Sequence, residues 1–180
     1  MKTLIAIVGM AGAGKSEACA YFRDTLGFGY LRFGEAVVLR VKELGQALNE
    51  ENERVVREQF RRELGMKAMA VKIDPLIREM QKSKEKIVLD GLYSWEEYEY
   101  LKPLYPELLL LCVYATPKIR YERLGKRSHR PLTVDEARSR DVAELVNLHK
   151  GPPIALADFL VVNEGSVEEL HQSLGGLWKK

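Results

Sequence analysis

Two cysteines in 180 residues leave little material for a disulfide framework. A chain of this length buries roughly two thirds of its unfolded surface and needs no such staples. Cys19 and Cys112 therefore read as reduced packing residues, as expected in the cytosol. The three histidines form no Cys/His cluster at metal-ligand spacing. The longest apolar run, residues 108–115, falls far short of the roughly 20 residues that span a bilayer. Met-Lys-Thr at the start leads directly into an aliphatic run and a glycine loop, without the cleavage site of a secretory leader. The expectation is a cytoplasmic protein with no membrane partner. Charge of one sign is also scarce: 28 Lys+Arg against 26 Asp+Glu give a net +2, too little to mark a nucleic-acid binder.

What is present is an alternation of strands and helices. Residues 4–8 form a continuous aliphatic run, the pattern of a strand buried on both faces. A helix is expected over 15–26, a strand over 30–33, a helix over 34–48, another through Val55, Val56, Phe60 and Leu64 that starts at Asn49-Glu50-Glu51-Asn52, and a further helix over 66–81 that Asp74-Pro75 should interrupt or kink. Strands follow at 86–89, 108–114 and 159–162. Ser94 can cap one helix and Pro117 open another. Thr133 with Glu136 is a capping-box pattern for a helix to about residue 149, which Gly151-Pro152-Pro153 should end, and Ser166 can cap a last helix. No repeat or long linker divides the chain, so an α/β domain with a parallel sheet and helices on both faces is expected.

The most specific feature is residues 9–16, Gly-Met-Ala-Gly-Ala-Gly-Lys-Ser, which match G-x-x-x-x-G-K-[ST] between an expected strand and an expected helix. Gly9, Met10, Ala11, Gly12, Ala13 and Gly14 would turn the backbone so that successive N–H groups face one concavity. A phosphate chain fits there, against the helix N-terminus. Lys15 would bridge the β- and γ-phosphates of ATP, and the Ser16 hydroxyl would ligate Mg2+. Asp90 ends the strand run Lys86-Ile-Val-Leu beside Gly91, the position for a carboxylate that completes the metal shell.

The P-loop, the phrase Leu89-Asp90-Gly91, the basic segment 123–127 and the tail from Ile154 through Asp158 to Asn163-Glu164-Gly165 resemble the adenylate kinase and dephospho-CoA kinase branch of P-loop kinases. The likeness is greatest to an archaeal group related to both. It implies a three-layer P-loop NTPase fold with a five-stranded parallel sheet, a helical acceptor region at about 34–82 and a lid at about 123–135. It implies that Arg123 and Arg127 are lid arginines holding the donor nucleotide and the phosphoryl group in transit. Arg140 would join them from the returning helix, and Asn163 to Gly165 would skirt the adenine. The charge pattern agrees. Residues 118–130 carry six basic side chains and one acid, a net +5, so the remainder of the chain nets −3. Arg120, Arg123 and Arg127 are spaced to share one helical face, and an arginine-bearing flap that closes on ATP would meet the needs of phosphoryl transfer. His129 lies in the same flap, within reach of a phosphate.

Two acceptor-site arginines of adenylate kinases are missing from their expected places: Val38 stands at one, and Leu92, Tyr93 and Ser94 follow Asp90-Gly91 at the other. Arg32, Arg40, Arg54, Arg57 and Arg61 are the available substitutes. Glu35, in Phe-Gly-Glu after the second strand, is the candidate general base or outer magnesium ligand. The leading expectation is an ATP/Mg-dependent kinase acting on a small nucleotide-like acceptor, of nucleoside monophosphate kinase or dephospho-CoA kinase type. A nucleotide-binding switch or regulatory ATPase that works with RNA or a protein is the rival.

Overall fold

The aliphatic run near the N-terminus forms the central strand of the sheet because both its faces can be buried. In the computed structural model, which describes residues 2–128 and 130–178, β1 (Thr3–Val8) is buried from Leu4 onward. It pairs in parallel with β3 (Lys86–Asp90) on one side and β4 (Leu108–Tyr114) on the other. With β2 (Gly29–Arg32) beyond β3 and β5 (Phe159–Val162) beyond β4, the order is β2-β3-β1-β4-β5. Side chains alternate across a strand. Leu4, Ala6 and Val8 accordingly join Phe33, Val37 and Ile73 in one core, while Ile5 and Ile7 join Cys19, Phe22 and Leu111 in another. Both cysteines are free and buried.

Parallel strands require crossover connections, here nine helices among the described residues. α1 (Lys15–Asp24) follows β1, and α2 (Glu35–Glu43), α3 (Glu50–Leu64) and α4 (Ala68–Met80) separate β2 from β3. Next come α5 (Trp95–Leu104), α6 (Pro117–Gly125), α7 (Val134–Asn147), α8 (Gly151–Ala155) and α9 (Val167–Trp178). The caps form where the sequence places them. Ser94 with Glu97 and Thr133 with Glu136 make complete capping boxes, and Asn49 accepts the Asn52 amide at 2.9 Å.

Three expectations need correction. α4 runs unbroken through Pro75. The ring is exposed while Ile73 and Ile77 are fully buried on either side of it, so core packing holds both halves of the helix despite the missing amide. The helix expected over 34–48 stops at Glu43, two residues before Gly45, whose φ of 67° leaves the helical region. Gly151-Pro152-Pro153 does not merely end α7 but opens α8, with proline in its first turn.

Because every strand is parallel, all five carboxyl ends emerge along one edge of the sheet, where ligands of open α/β sheets bind. Residues 9–16, Phe33 to Glu35, Asp90, Ala115 and Asn163 all lie in or just beyond strand ends on that edge.

Candidate active site

The P-loop holds a conformation that only glycine adopts readily. Gly9, Gly12 and Gly14 have φ of 139°, 81° and 104°. A Cβ on Gly9 would strike the Val113 carbonyl, one on Gly14 the Asn163 side-chain amide, and one on Gly12 would lie 2.7 Å from the Arg120 carbonyl. Three loop carbonyls are tied to side chains: Met10 O to Lys15 Nζ at 2.9 Å, Ala11 O to an Arg120 Nη at 3.1 Å, and Ala13 O to Asn163 Nδ2 at 2.8 Å. The first amides of α1 have no intrahelical acceptor and the helix dipole is positive there, so this end of the loop has the polarity that suits an anion. Burial lowers the Lys15 pKa to about 8, and the charge of Lys150 pushes it the same way.

Asp90 enters from the neighbouring strand, where it pairs in register with Ile7 of β1 and Arg32 of β2. Its carboxylate accepts the Tyr30 hydroxyl at 3.0 Å and acts electrostatically on Lys15. Ser16 is exposed in the first turn of α1. Among the described residues no group of three or more His, Cys, Asp or Glu could cage a metal alone. That donor set fits Mg2+, which takes one or two protein oxygens and fills its remaining sites with phosphate and water. Ser16 and Asp90 would be those two oxygens.

The basic flap divides into distinct roles. Arg120 is 4% exposed and forms two parallel bonds to Asp141, 2.9 and 2.6 Å, while also donating to the carbonyls of Ala11 and Ala115. Tyr121 completes the arrangement with a 2.9 Å bond to Asp141. The flap thus contributes a buried ion pair that braces the P-loop from behind. Arg123 donates to the Asn163 carbonyl at 2.9 Å and reaches toward the Gly165 carbonyl at 3.5 Å. It joins the flap to the loop that follows β5, in which Gly165 is exposed. α6 ends at Gly125, so Arg127 leaves the face shared by Arg120 and Arg123 and stands exposed in the turn. Arg130 lies 3.7 Å from Glu50 at the start of α3. His129 lies outside the described residues.

Toward β2 and β3 a cleft of about 420 Å3 opens between the strand ends, α3, α5 and α7. Arg32, Arg57, Arg61 and Arg140 line it together with Asp90. Arg57 bonds to Glu50 at 2.6 Å and lies 3.6 Å from Glu53; Arg140 donates to Glu144 at 2.9 Å. Arg40 and Arg54 are not part of the lining: Arg40 pairs with Glu43 and Arg54 with Glu58, on other faces. Glu35 starts α2 directly after Gly34, which lines the cleft, and its side chain makes no hydrogen bond or ion pair among the described residues. Glu97, buried beneath the cleft, has its pKa raised to about 7 by burial, against the pull of the Tyr93 and Ser94 amides it accepts.

Sequence reasoning missed Asp141, Glu144 and Lys150. The i, i+4 spacing of Arg140 and Glu144 was the one local signal; the other pairings join residues that only the fold brings together.

A parallel sheet of this order, with a glycine phosphate loop on its central strand and an ion-pair-lined cleft beside it, defines the chain as a P-loop NTPase-like domain of the kinase architecture. Solved structures share that fold. Shikimate kinase from Acinetobacter baumannii in complex with shikimate superposes with a TM-score of 0.60 at 17% identity, covering 98% of this chain and 93% of that one. Shikimate kinase from Bacteroides thetaiotaomicron gives 0.64 at 14% over 99% of both chains. A gluconokinase from Sinorhizobium meliloti gives 0.56 at 16%, covering 98% of this chain and 94% of that one. In sequence, residues 5–144 match the model of an AAA domain family. A UPF0200 protein of Pyrococcus abyssi is 33% identical over 181 residues, 98% of this chain and 96% of the relative. One of Methanocaldococcus jannaschii is 35% identical over 179 residues, 97% of this chain and 88% of the relative. The chain belongs to the AAA domain family and to the UPF0200 proteins.

Proposed function

We propose that this protein is an ATP- and Mg2+-dependent phosphotransferase that moves the γ-phosphoryl group to a small acceptor bearing an anionic group. The observation that carries this reading is one juxtaposition. The P-loop and Lys15 meet Asp90 at the carboxyl ends of β1 and β3, and an arginine-lined cleft opens on the β2 side of them. Phosphoryl transfer asks a protein mainly for positioning and for positive charge around the transferred group. The P-loop amides and Lys15 would hold the donor phosphates, with Ser16 and Asp90 on the metal, which when bound would neutralise charge developing between the β- and γ-phosphates. Arg123 and the Asn163-to-Gly165 loop would border the nucleotide base. Arg127 and Arg140 would approach the transferred group as the lid, residues 123–135, closes. Glu35, unpaired at the start of α2, would accept the proton of an acceptor hydroxyl.

Arg32, Arg57 and Arg61 support an acceptor with a phosphate or carboxylate, because guanidinium groups bind both in a forked geometry. A nucleotide-like acceptor of the nucleoside monophosphate or dephospho-CoA type is the finer reading. The sugar and hydroxy acids named for the solved kinases are the comparison set. ADP release should be screened against AMP, CMP, UMP, dephospho-CoA, shikimate, gluconate and a set of nucleosides. Stimulation by one compound supports the reading. ADP release that no compound changes would overturn it in favour of a nucleotide switch.

A further inference from the structure

Lys150 is the most buried cation in the described structure, 2% exposed. It stands where α7 gives way to α8, and its neighbour His149 has φ 48°, one of two positive values at non-glycine residues among those described. That conformation is disfavoured by a residue with a Cβ, by roughly 1 kcal/mol, and it turns the chain so that position 150 faces inward. His149 is held in turn by Glu96 at 2.6 Å. The fold thus bends its backbone to bring a flexible lysine into the cleft, at the cost of burying a charge.

A structural staple would leave that charge fully matched, but the matching here is shared. Lys150 Nζ donates to Glu144 Oε2 at 2.6 Å and lies 4.5 Å above the Tyr93 ring. The other oxygen of Glu144 is occupied by Arg140 Nε at 2.9 Å. One buried carboxylate therefore holds two cations, and Glu144 takes only one of the three N–H donors of Lys150. Arg140, Glu144, Lys150, Tyr93 and Asp90 line the same cleft. The charge of Lys150 also bears on Lys15, helping to lower its pKa. Around Lys15 the cations Arg140 and Lys150 face two carboxylates, Asp90 and Glu144, and cations that outnumber their carboxylates repel one another until an anion enters between them.

We propose that Lys150 is a second phosphate-binding lysine of this site, held on Glu144 and Tyr93 until a nucleoside triphosphate binds and then directed at its γ-phosphate. This rests on the phosphotransfer reading and adds a residue to it. Arg140 and Lys150 move as a pair governed by Glu144: the carboxylate orients both cations, and the incoming phosphate competes for their spare donors. Lys15 reaches the phosphates from the P-loop and Lys150 from the α7–α8 turn, so the terminal group is held from two directions. A diphosphate lacks that terminal group and should not engage Lys150.

The test is calorimetric binding, with Mg2+ present, of β,γ-imido-ATP and of ADP to the full chain. Wild type, Lys150→Met and Lys150→Arg are compared, with melting temperature as the check on folding. Lys150→Met should weaken imido-ATP binding at least tenfold and ADP binding no more than twofold, and Lys150→Arg should regain most of the loss. Should Lys150→Met fail to fold, Lys150→Gln, which keeps a polar tip for Glu144 without the charge and leaves Arg140 in place, carries the same comparison. Equal loss for both nucleotides, or no loss for either, overturns the assignment and makes Lys150 a staple of the turn. Wild type that binds neither nucleotide would bring down the phosphotransfer reading itself, a distinct result.

Discussion

The P-loop side and the β2-side cleft of this site, its proposed donor and acceptor halves, are built by different means. Around the P-loop, side chains reach backbone carbonyls: Lys15, Arg120 and Asn163 each hold one, and Arg120 is also locked to Asp141 in a buried two-bond pair. Along the acceptor cleft, side chains hold side chains, and most are partly exposed, as in Arg57 with Glu50 and Glu53 or Arg130 with Glu50. Backbone held by buried groups keeps one shape, whereas exposed ion pairs exchange partners at little expense. The difference fits a phosphate chain that is the same in every cycle and an acceptor that must enter, be enclosed and leave.

The comparison breaks most sharply at Asp141. Asp141→Ala strands the Arg120 guanidinium in a buried site, and loss of one partner of such a pair costs about 3–5 kcal/mol. Urea unfolding should show that loss, together with weaker MgATP binding, because the same arginine braces Ala11. Asn163→Ala should cost less, about 1–3 kcal/mol, since it removes one buried bond to the Ala13 carbonyl. Its effect should appear in the KM for ATP and not in that for the acceptor.

A pH measurement bears on the floor of the cleft. Burial pushes the Glu97 carboxyl up to about 7, from the 4.5 of an exposed glutamate. The folded state therefore binds the proton more tightly than the unfolded chain. Stability from this group is complete below about pH 4.5 and is lost as pH rises through 7, with a slope of at most about 1.4 kcal/mol per pH unit. Melting curves of wild type between pH 5 and 8 should fall more steeply than those of Glu97→Gln; parallel curves would contradict the assignment.

On the acceptor side the expected effects are kinetic. Arg57→Ala should raise KM for the acceptor about tenfold, equivalent to about 1.4 kcal/mol, while the KM for ATP and the melting temperature stay near wild type. Glu50→Gln should move stability by no more than about 1 kcal/mol, as exposed pairs do. A large stability loss in either variant would mean that the acceptor wall is as rigid as the donor wall.

How far the sequence could be read follows the same division. The P-loop, the cap at Ser94 and the capping box at Thr133 were legible because each pattern is carried by residues within a few positions of one another. So were the strands at 108–114 and 159–162, whose aliphatic runs are bounded by turn residues. Asp90 was legible as the end of a strand run, although its bond to Tyr30 spans sixty residues and was not. The flap arginines were visible as a cluster, but helix periodicity could not show that α6 ends at Gly125, nor that Arg120 turns inward to Asp141. Lys150 gave no local signal, because its burial depends on a strained turn at His149 and on an acid in α7. Pro75 misled for the opposite reason: a strong local rule yields where Ile73 and Ile77 anchor the helix to the core.

The measurement that bears most directly on the account is acceptor-dependent ADP formation by Lys15→Ala beside wild type. Its melting temperature should stay near the wild-type value, since among the described residues the Lys15 side chain bonds only the Met10 carbonyl and its burial lowers its pKa. Turnover should fall at least a thousandfold, in keeping with the loss of a group that stabilises transition-state charge. A folded Lys15→Ala protein that turns over within tenfold of wild type would contradict the central claim.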